Sequence, residues 1–137
     1  MEQQTGINEQ EIKEDKVDLI DLELGEDKPQ IEAKEVLVEE LKYEEVEKFK
    51  TYKLKLICRH PDLEKPIEIS GIEYMNEEKK IIGSGLWVKK DNENKVLFRS
   101  AIGQLLRFTK KKRLSELKGE RLPTETNKSG YLVIKAY

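Results

Sequence analysis

The chain has one cysteine, one histidine, one tryptophan and four prolines in 137 residues, and each shortage closes off a class of explanation. A single thiol, Cys58, forms no internal disulfide, and Cys58 with His60 falls short of the four ligands a structural zinc site takes. The sequence therefore predicts neither a disulfide framework nor a metal site. No run approaches the roughly 18 consecutive apolar residues of a membrane helix, and residues 1–10 lack the apolar stretch of a secretory signal. The expected compartment is the cytoplasm, with no membrane contact. No nucleophile stands beside a base, since one His, one Cys and scattered Ser make no triad. No catalytic residue and no cofactor are expected, and the chain reads as a non-enzyme.

What the chain has in quantity is charge. Aspartate and glutamate number 28 against 26 lysines and arginines, a formal net charge of only -2. The sum hides a division. Residues 1–48 hold 17 acidic and 6 basic side chains, whereas residues 49–137 hold 11 acidic and 20 basic ones. An acidic arm joined to a basic domain is the asymmetry of nucleic-acid contact or of an acidic interaction tail. Lysine and glutamate together supply 43 of the residues, a bias found in hyperthermophile proteins.

Residues 1–30 show no sustained period and are expected to be disordered. One apolar island interrupts them, with Val17, Leu19, Ile20, Leu22 and Leu24 among acidic residues. This is either a solvated tail or a short partner-binding segment that folds on contact. Residues 31–48 contain good helix formers, and Leu37, Val38 and Leu41 share a helical face, which predicts a short acidic helix or linker.

From residue 49 the period changes to two. Tyr52, Leu54, Leu56 and Cys58 alternate with Lys53, Lys55 and Arg59, so a first strand buries the former and exposes the latter. His60, next to Pro61, falls in the loop that follows. Residues 67–74 read as one strand bent at Ser70-Gly71. Residues 79–90 read as a longer strand, with a hairpin turn at 91–94. Ser100 is an N-cap for a helix carrying Ile102, Leu105 and Leu106, and a further turn from Leu114 stops at Gly119. Two short strands, 121–126 and 131–137, follow across the Asn127-Lys128-Ser129-Gly130 turn. Gly83-Ser84-Gly85 is no phosphate loop, because no Lys-Ser follows and no helix opens after it.

Strand, bent strand, strand, helix, strand, strand resembles the OB-fold, a small five-stranded Greek-key barrel. The predicted fold class is therefore mainly β with one helix: an OB-like barrel over residues 49–137, preceded by the acidic arm. The same string also permits an antiparallel sheet with a helix across one face. The resemblance implies single-stranded nucleic-acid binding, DNA ahead of RNA, on the face of the second and third strands. On or beside that face it places Trp87, Lys89, Lys90, Phe98 and Arg99.

Charge argues the same way without the fold. Residues 79–137 carry 15 basic and 5 acidic side chains, with aromatics including Trp87, Phe98, Phe108, Tyr131 and Tyr137 among them. Basic groups release counterions from phosphates, and exposed aromatics stack bases. The candidate contacts are Lys53, Lys55 and Arg59 on the first strand, the five residues placed on or beside the binding face, and Arg107, Lys110, Lys111, Lys112 and Arg113 after the helix. Trp87 faces either solvent or core, and Phe98, in the run Val96-Leu97-Phe98 where either parity could point inward, is expected in the core. The competing reading is a protein-interaction adaptor whose basic face meets an acidic protein and whose island docks elsewhere.

Overall fold

The computed structural model describes residues 19–25 and 31–137. Val17 lies outside them, as does most of the predicted disordered arm. Strand β1 (Val36–Val46) runs through a single 3-10 turn, Glu47–Phe49, into β2 (Thr51–Arg59). Then come β3 (Ile67–Ile69), β4 (Gly71–Met75), β5 (Ile81–Gly85) and helix α1 (Ala101–Thr109). The chain closes with β6 (Arg121–Leu122), β7 (Thr124–Thr126) and β8 (Leu132–Ala136).

Among the described residues the fold is mainly β with one α-helix, but it has eight strands in two four-stranded sheets, not five in one barrel. The orders are β3-β2-β1-β6 and β5-β4-β8-β7. Two bends and one unexpected strand, β1, account for the difference. Ser70 separates β3 from β4 and Pro123 separates β6 from β7, so two continuous ribbons each serve both sheets. Proline donates no ladder hydrogen bond, which suits it to such a break. All strand pairs are antiparallel except β4 with β8, which is parallel.

The predicted helix or linker at 31–48 is instead the longest strand. Val36 and Val38 are both buried, a period of two, and β1 pairs with β2 from Leu37 opposite Arg59 to Val46 opposite Thr51. A bulge between Val38 and Glu40 resets the register and brings Leu41 opposite Leu56. The helical stripe thus yields to the hydrogen bonds and side-chain pairs that β2 offers, contacts no local pattern contains. The predicted long strand at 79–90 also shortens, since β5 ends at Gly85 and only isolated bridges, Lys53 with Trp87 and Lys90 with Val96, continue the pairing.

Leu54, Leu56 and Cys58 enter the core as the alternation requires, with Ile69, Ile72, Leu86 and Ile134. Tyr52, expected beside them, lies past the core's edge and stays 48% exposed. Burial pushes the Cys58 thiol up to about 12, so it remains protonated and unreactive. A thiol-specific reagent should therefore label the native protein far more slowly than the denaturant-unfolded chain, and equal labelling rates would contradict this burial.

His60 does not behave as an ordinary loop residue, for it is only 1% exposed. The Asp62 backbone N–H donates to Nδ1 at 3.0 Å, which leaves the proton on Nε2 to donate to the Glu32 carbonyl at 2.7 Å. Lys34 pairs with Asp62 at 2.8 Å, and the Thr124 hydroxyl donates to the Lys34 carbonyl at 2.6 Å. These contacts pin the entry to β1 onto the sheets.

Helix α1 starts where the sequence places it, the Ser100 hydroxyl accepting from the Gly103 N–H at 3.1 Å. Ile102 and Leu105 are fully buried, and α1 packs on β4 and β8. Gly103 lets residues 97 and 98 cross the helix closely, because a Cβ there would overlap both of their carbonyl oxygens. Backbone on both sides of that contact cannot swing away as a side chain can. Gly103→Ala should destabilise the fold by about 1–3 kcal/mol, read as a lowered denaturant midpoint, despite alanine's higher helix propensity.

Candidate nucleic-acid interface

Four segments meet on the outer face of the sheets: β2, the β3–β4 bend, β5 and the turn before β8. They enclose an open groove of about 550 Å³ whose lining includes Lys53, Gly71, Glu73, Gly83, Gly85 and Tyr131. Glycine shapes it. A Cβ at Gly83 would meet only Glu73 Cγ, at 3.9 Å, so the backbone there is bare floor. A Cβ at Gly85 would meet Trp87 Nε1 at 2.9 Å and Lys53 Cε at 3.0 Å, so this glycine gives those two side chains room to lie across the strand.

Trp87 and Lys53 form one unit. Their backbones bridge, flanked by the Leu54 N–H to the Leu86 carbonyl at 2.8 Å and the Val88 N–H to the Tyr52 carbonyl at 2.9 Å. The Lys53 ammonium sits 5.2 Å from the indole centroid, within cation–π range. Leu86 is fully buried and Trp87 half-buried, so the core claims the neighbour and the indole stands on the outer side. The β7–β8 turn carries Tyr131, 70% exposed. Asn127 Oδ1 accepts from the backbone N–H groups of Ser129 at 3.0 Å and Tyr131 at 2.9 Å, while Gly130 takes a left-handed φ of 88°. The tyrosine is thereby presented from a fixed turn.

Carboxylates adjust the charge of this face. Glu73 and Glu125 share a side-chain hydrogen bond, which, with burial and their mutual repulsion, raises the Glu73 pKa; the same bond lowers that of Glu125. Glu73 thus holds a proton longer than an isolated glutamate, and the groove loses negative charge as pH falls through its raised value. Glu125 also accepts from the Tyr137 hydroxyl at 2.7 Å, and that bond pushes the phenol up to about 12.

The predicted contact residues divide three ways. Lys53 lines the groove, and Trp87 lies beside it through its contact with Lys53. Lys55 pairs with Glu44 at 2.9 Å and Glu68 at 3.5 Å, Arg59 with Glu39 at 3.1 Å, Lys111 with Glu120 at 3.0 Å, and Arg99 with Glu77. Those cations hold the molecule's own carboxylates. Lys89, Lys90, Arg107, Lys110, Lys112 and Arg113 are exposed. Phe98, expected in the core, is 63% exposed, with the Arg107 guanidinium 3.9 Å from its ring centroid. Of the three consecutive apolar residues only Val96 packs on the core, because the 97–98 backbone turns into the start of α1 with its carbonyls against Gly103. In the acidic arm Leu19, Ile20, Leu22 and Leu24 are all exposed.

In sequence, Tyr131 is one aromatic among several, and Gly83 and Gly85 stand only for reduced bulk. The Asn127-to-Gly130 turn is the available signal for Tyr131, since it fixes where the tyrosine emerges. No such signal exists for the groove, whose walls come from segments about 80 residues apart in sequence.

The chain matches no protein-family model, no curated protein and no solved structure. Among the described residues, no group of three or more His, Cys, Asp and Glu side chains is placed to hold a metal ion, and no helix is long and apolar enough to cross a membrane.

The carboxylate pair gives a spectroscopic test. In Glu125→Gln the charged acceptor is lost, so Tyr137 should ionise nearer the ordinary tyrosine value of about 10, seen as earlier tyrosinate absorbance in an alkaline titration. A tyrosine titration unchanged by the substitution would mean that Glu125 does not hold the phenol.

Proposed function

We propose that this chain is a non-enzymatic single-stranded nucleic-acid-binding protein whose principal site is the glycine-floored groove. The observation that carries the reading is the grouping of Lys53 and Tyr131 around bare backbone at Gly83, with the Trp87 indole against Lys53 at the groove's edge. A flat base can approach a strand that lacks side chains there, and stacking on an aromatic contributes roughly 1–3 kcal/mol per base. Lys53 supplies a cation for the adjoining phosphate. A duplex hides its base faces, so the platform selects single strands.

Connectivity supports an OB-like assignment. Counted as ribbons, with β3 joined to β4 and β6 to β7, the pairings run β1 to β2, to β3–β4, to β8, to β7–β6 and back to β1. That is a ring of five ribbons. Helix α1 falls between the third and the fourth in chain order, the position in which an OB-type barrel carries its helix, and β5 is an added edge strand. In this count the groove lies on the face of the second and third ribbons beside the loop between the fourth and fifth, where OB-folds bind oligonucleotides.

A second reading, as a protein-interaction adaptor, draws on a separate depression of about 280 Å³ lined by Tyr43, Tyr52, Val88 and Lys90. Tyr43 and Tyr52 pack edge to face there, 6.5 Å apart, and both remain exposed. An acidic peptide with an aliphatic anchor fits that surface, and such a ligand would leave the groove empty.

Fluorescence of the lone Trp87 separates the two. Single-stranded DNA or RNA should quench it, with an affinity that falls as salt rises, while duplex of equal length should bind more weakly. The Cβ of Gly83→Val would meet only Glu73 Cγ, at 3.9 Å; the variant covers the floor and should weaken the binding of single strands about tenfold or more, as loss of one stacked base does, with its unfolding midpoint checking that the fold is kept. Failure of either single strand to bind at low salt would reject the nucleic-acid reading.

A further inference from the structure

We propose that the C-terminal end of α1 is a second contact surface for the same strand, so that the site is bipartite; this rests on the groove reading above. The surface consists of Phe98, Arg107, Lys110, Lys112 and Arg113.

Three observations argue for it. First, the cations are dense: within the seven residues 107–113, Arg107, Lys110, Lys112 and Arg113 form no salt bridge with a described residue, whereas Lys55, Arg59, Arg99 and Lys111 all do. Lys111, in the middle of the run, turns to Glu120 and leaves its neighbours to solvent. Secondly, the backbone that carries them is fixed. Lys110 ends the helix at a left-handed φ of 60° with its N–H bonded to the Arg107 carbonyl, and Glu116 accepts the backbone N–H groups of Lys112 at 2.9 Å and Arg113 at 3.1 Å. Thirdly, an aromatic ring is held in place beside them. The Leu97 N–H bonds to the Lys89 carbonyl at 2.9 Å and Ser100 Oγ donates to the Leu97 carbonyl at 2.8 Å, while Gly103 lets the 97–98 backbone sit against the helix. Phe98 is thus presented outward on a rigid support, under a guanidinium.

A helix dipole is complemented by one or two cations in the last turn. Four cations without a salt bridge, one of them over the exposed Phe98 ring, exceed that need. The mixture of several positive charges and an aromatic face fits phosphates with an unstacked base between them. A chain path also joins this surface to the groove: Trp87 is two residues from Lys89, and the Lys89 carbonyl binds the Leu97 N–H. Two residues of extended chain and one cross-strand step put the Trp87 and Phe98 backbones within roughly 16 Å, so one strand of modest length reaches both.

The two parts are separable by oligonucleotide length. The variant Lys110→Asn, Lys112→Gln, Arg113→Gln removes three exposed charges, keeps the backbone contacts of Glu116, and places at the left-handed position a residue that tolerates it. Its unfolding midpoint should equal that of the parent protein. A single strand of about four nucleotides, near the lower site size for one such domain, should bind parent and variant alike. For a strand of about twelve nucleotides the variant should bind about tenfold more weakly, and its log–log salt slope should be shallower by about 2, at roughly 0.7 for each phosphate that is no longer neutralised. Phe98→Ala should weaken only the longer strand and leave the salt slope unchanged.

An unaltered slope and affinity for the longer strand would overturn the proposal, as would equal losses for both lengths. So would saturable binding of a synthetic peptide with the sequence of residues 17–24, abolished by the triple substitution while strand binding persists, since that assigns the surface to an acidic protein ligand. The parent protein failing to bind either length is a different result, because it removes the groove reading itself.

Discussion

The parallel pairing of β4 with β8 is the contact on which the remaining architecture depends. It sets Ile72 opposite Ile134, Glu73 opposite Lys135 and Tyr74 opposite Ala136, and it joins the middle of the chain to its last strand. Gly71 makes this close approach tolerable. A Cβ there would sit 2.9 Å from Val133 Cγ1, well inside van der Waals contact. With the pairing in place, Ile72 and Ile134 close the core beneath α1, and the β7–β8 turn comes to rest beside β4 and β5. The groove exists because those two segments are held as neighbours.

The charge division noticed in the sequence takes a different form in three dimensions. Its acidic half extends into the fold, because β1 carries Glu39, Glu40, Glu44 and Glu45 and pairs with the lysine-bearing β2. Glu44 and Glu39 take up Lys55 and Arg59. Residues 31–137 therefore hold 23 basic and 18 acidic side chains, while residues 1–30 hold 3 and 10. The fold is moderately basic, and four of its cations without a salt bridge fall close together in sequence at the end of α1. Exposed ion pairs of this kind stabilise little individually. Their larger effect here is on which cations remain available to a ligand.

Much of the local structure was legible. The alternation in β2, the bend at Ser70-Gly71, the Ser100 cap, the stop at Gly119 and the turn at Asn127 are all set by side-chain periodicity, hydroxyl capping and glycine or asparagine chemistry, which act over a few residues. Mainly β architecture with a single helix followed from them. The strand identity of residues 36–46 did not, because their apolar positions satisfy a helical stripe about as well as a strand, and only the partner strand decides between the two.

What the sequence determined by itself was the set of local elements and the supply of aromatics and cations. Tertiary structure decided which of them meet. It sent Lys55, Arg59, Arg99 and Lys111 to internal carboxylates, turned Trp87 to the outer face because its neighbour Leu86 fills the core, and left Phe98 outside where the 97–98 backbone turns into α1 against Gly103. It also built the groove from Lys53, Gly83 and Tyr131, residues that no window of the sequence contains together. The reason is one of range: capping and periodicity act within a turn or a strand, whereas burial and ion pairing are settled by whichever distant segment the closed sheets bring into contact.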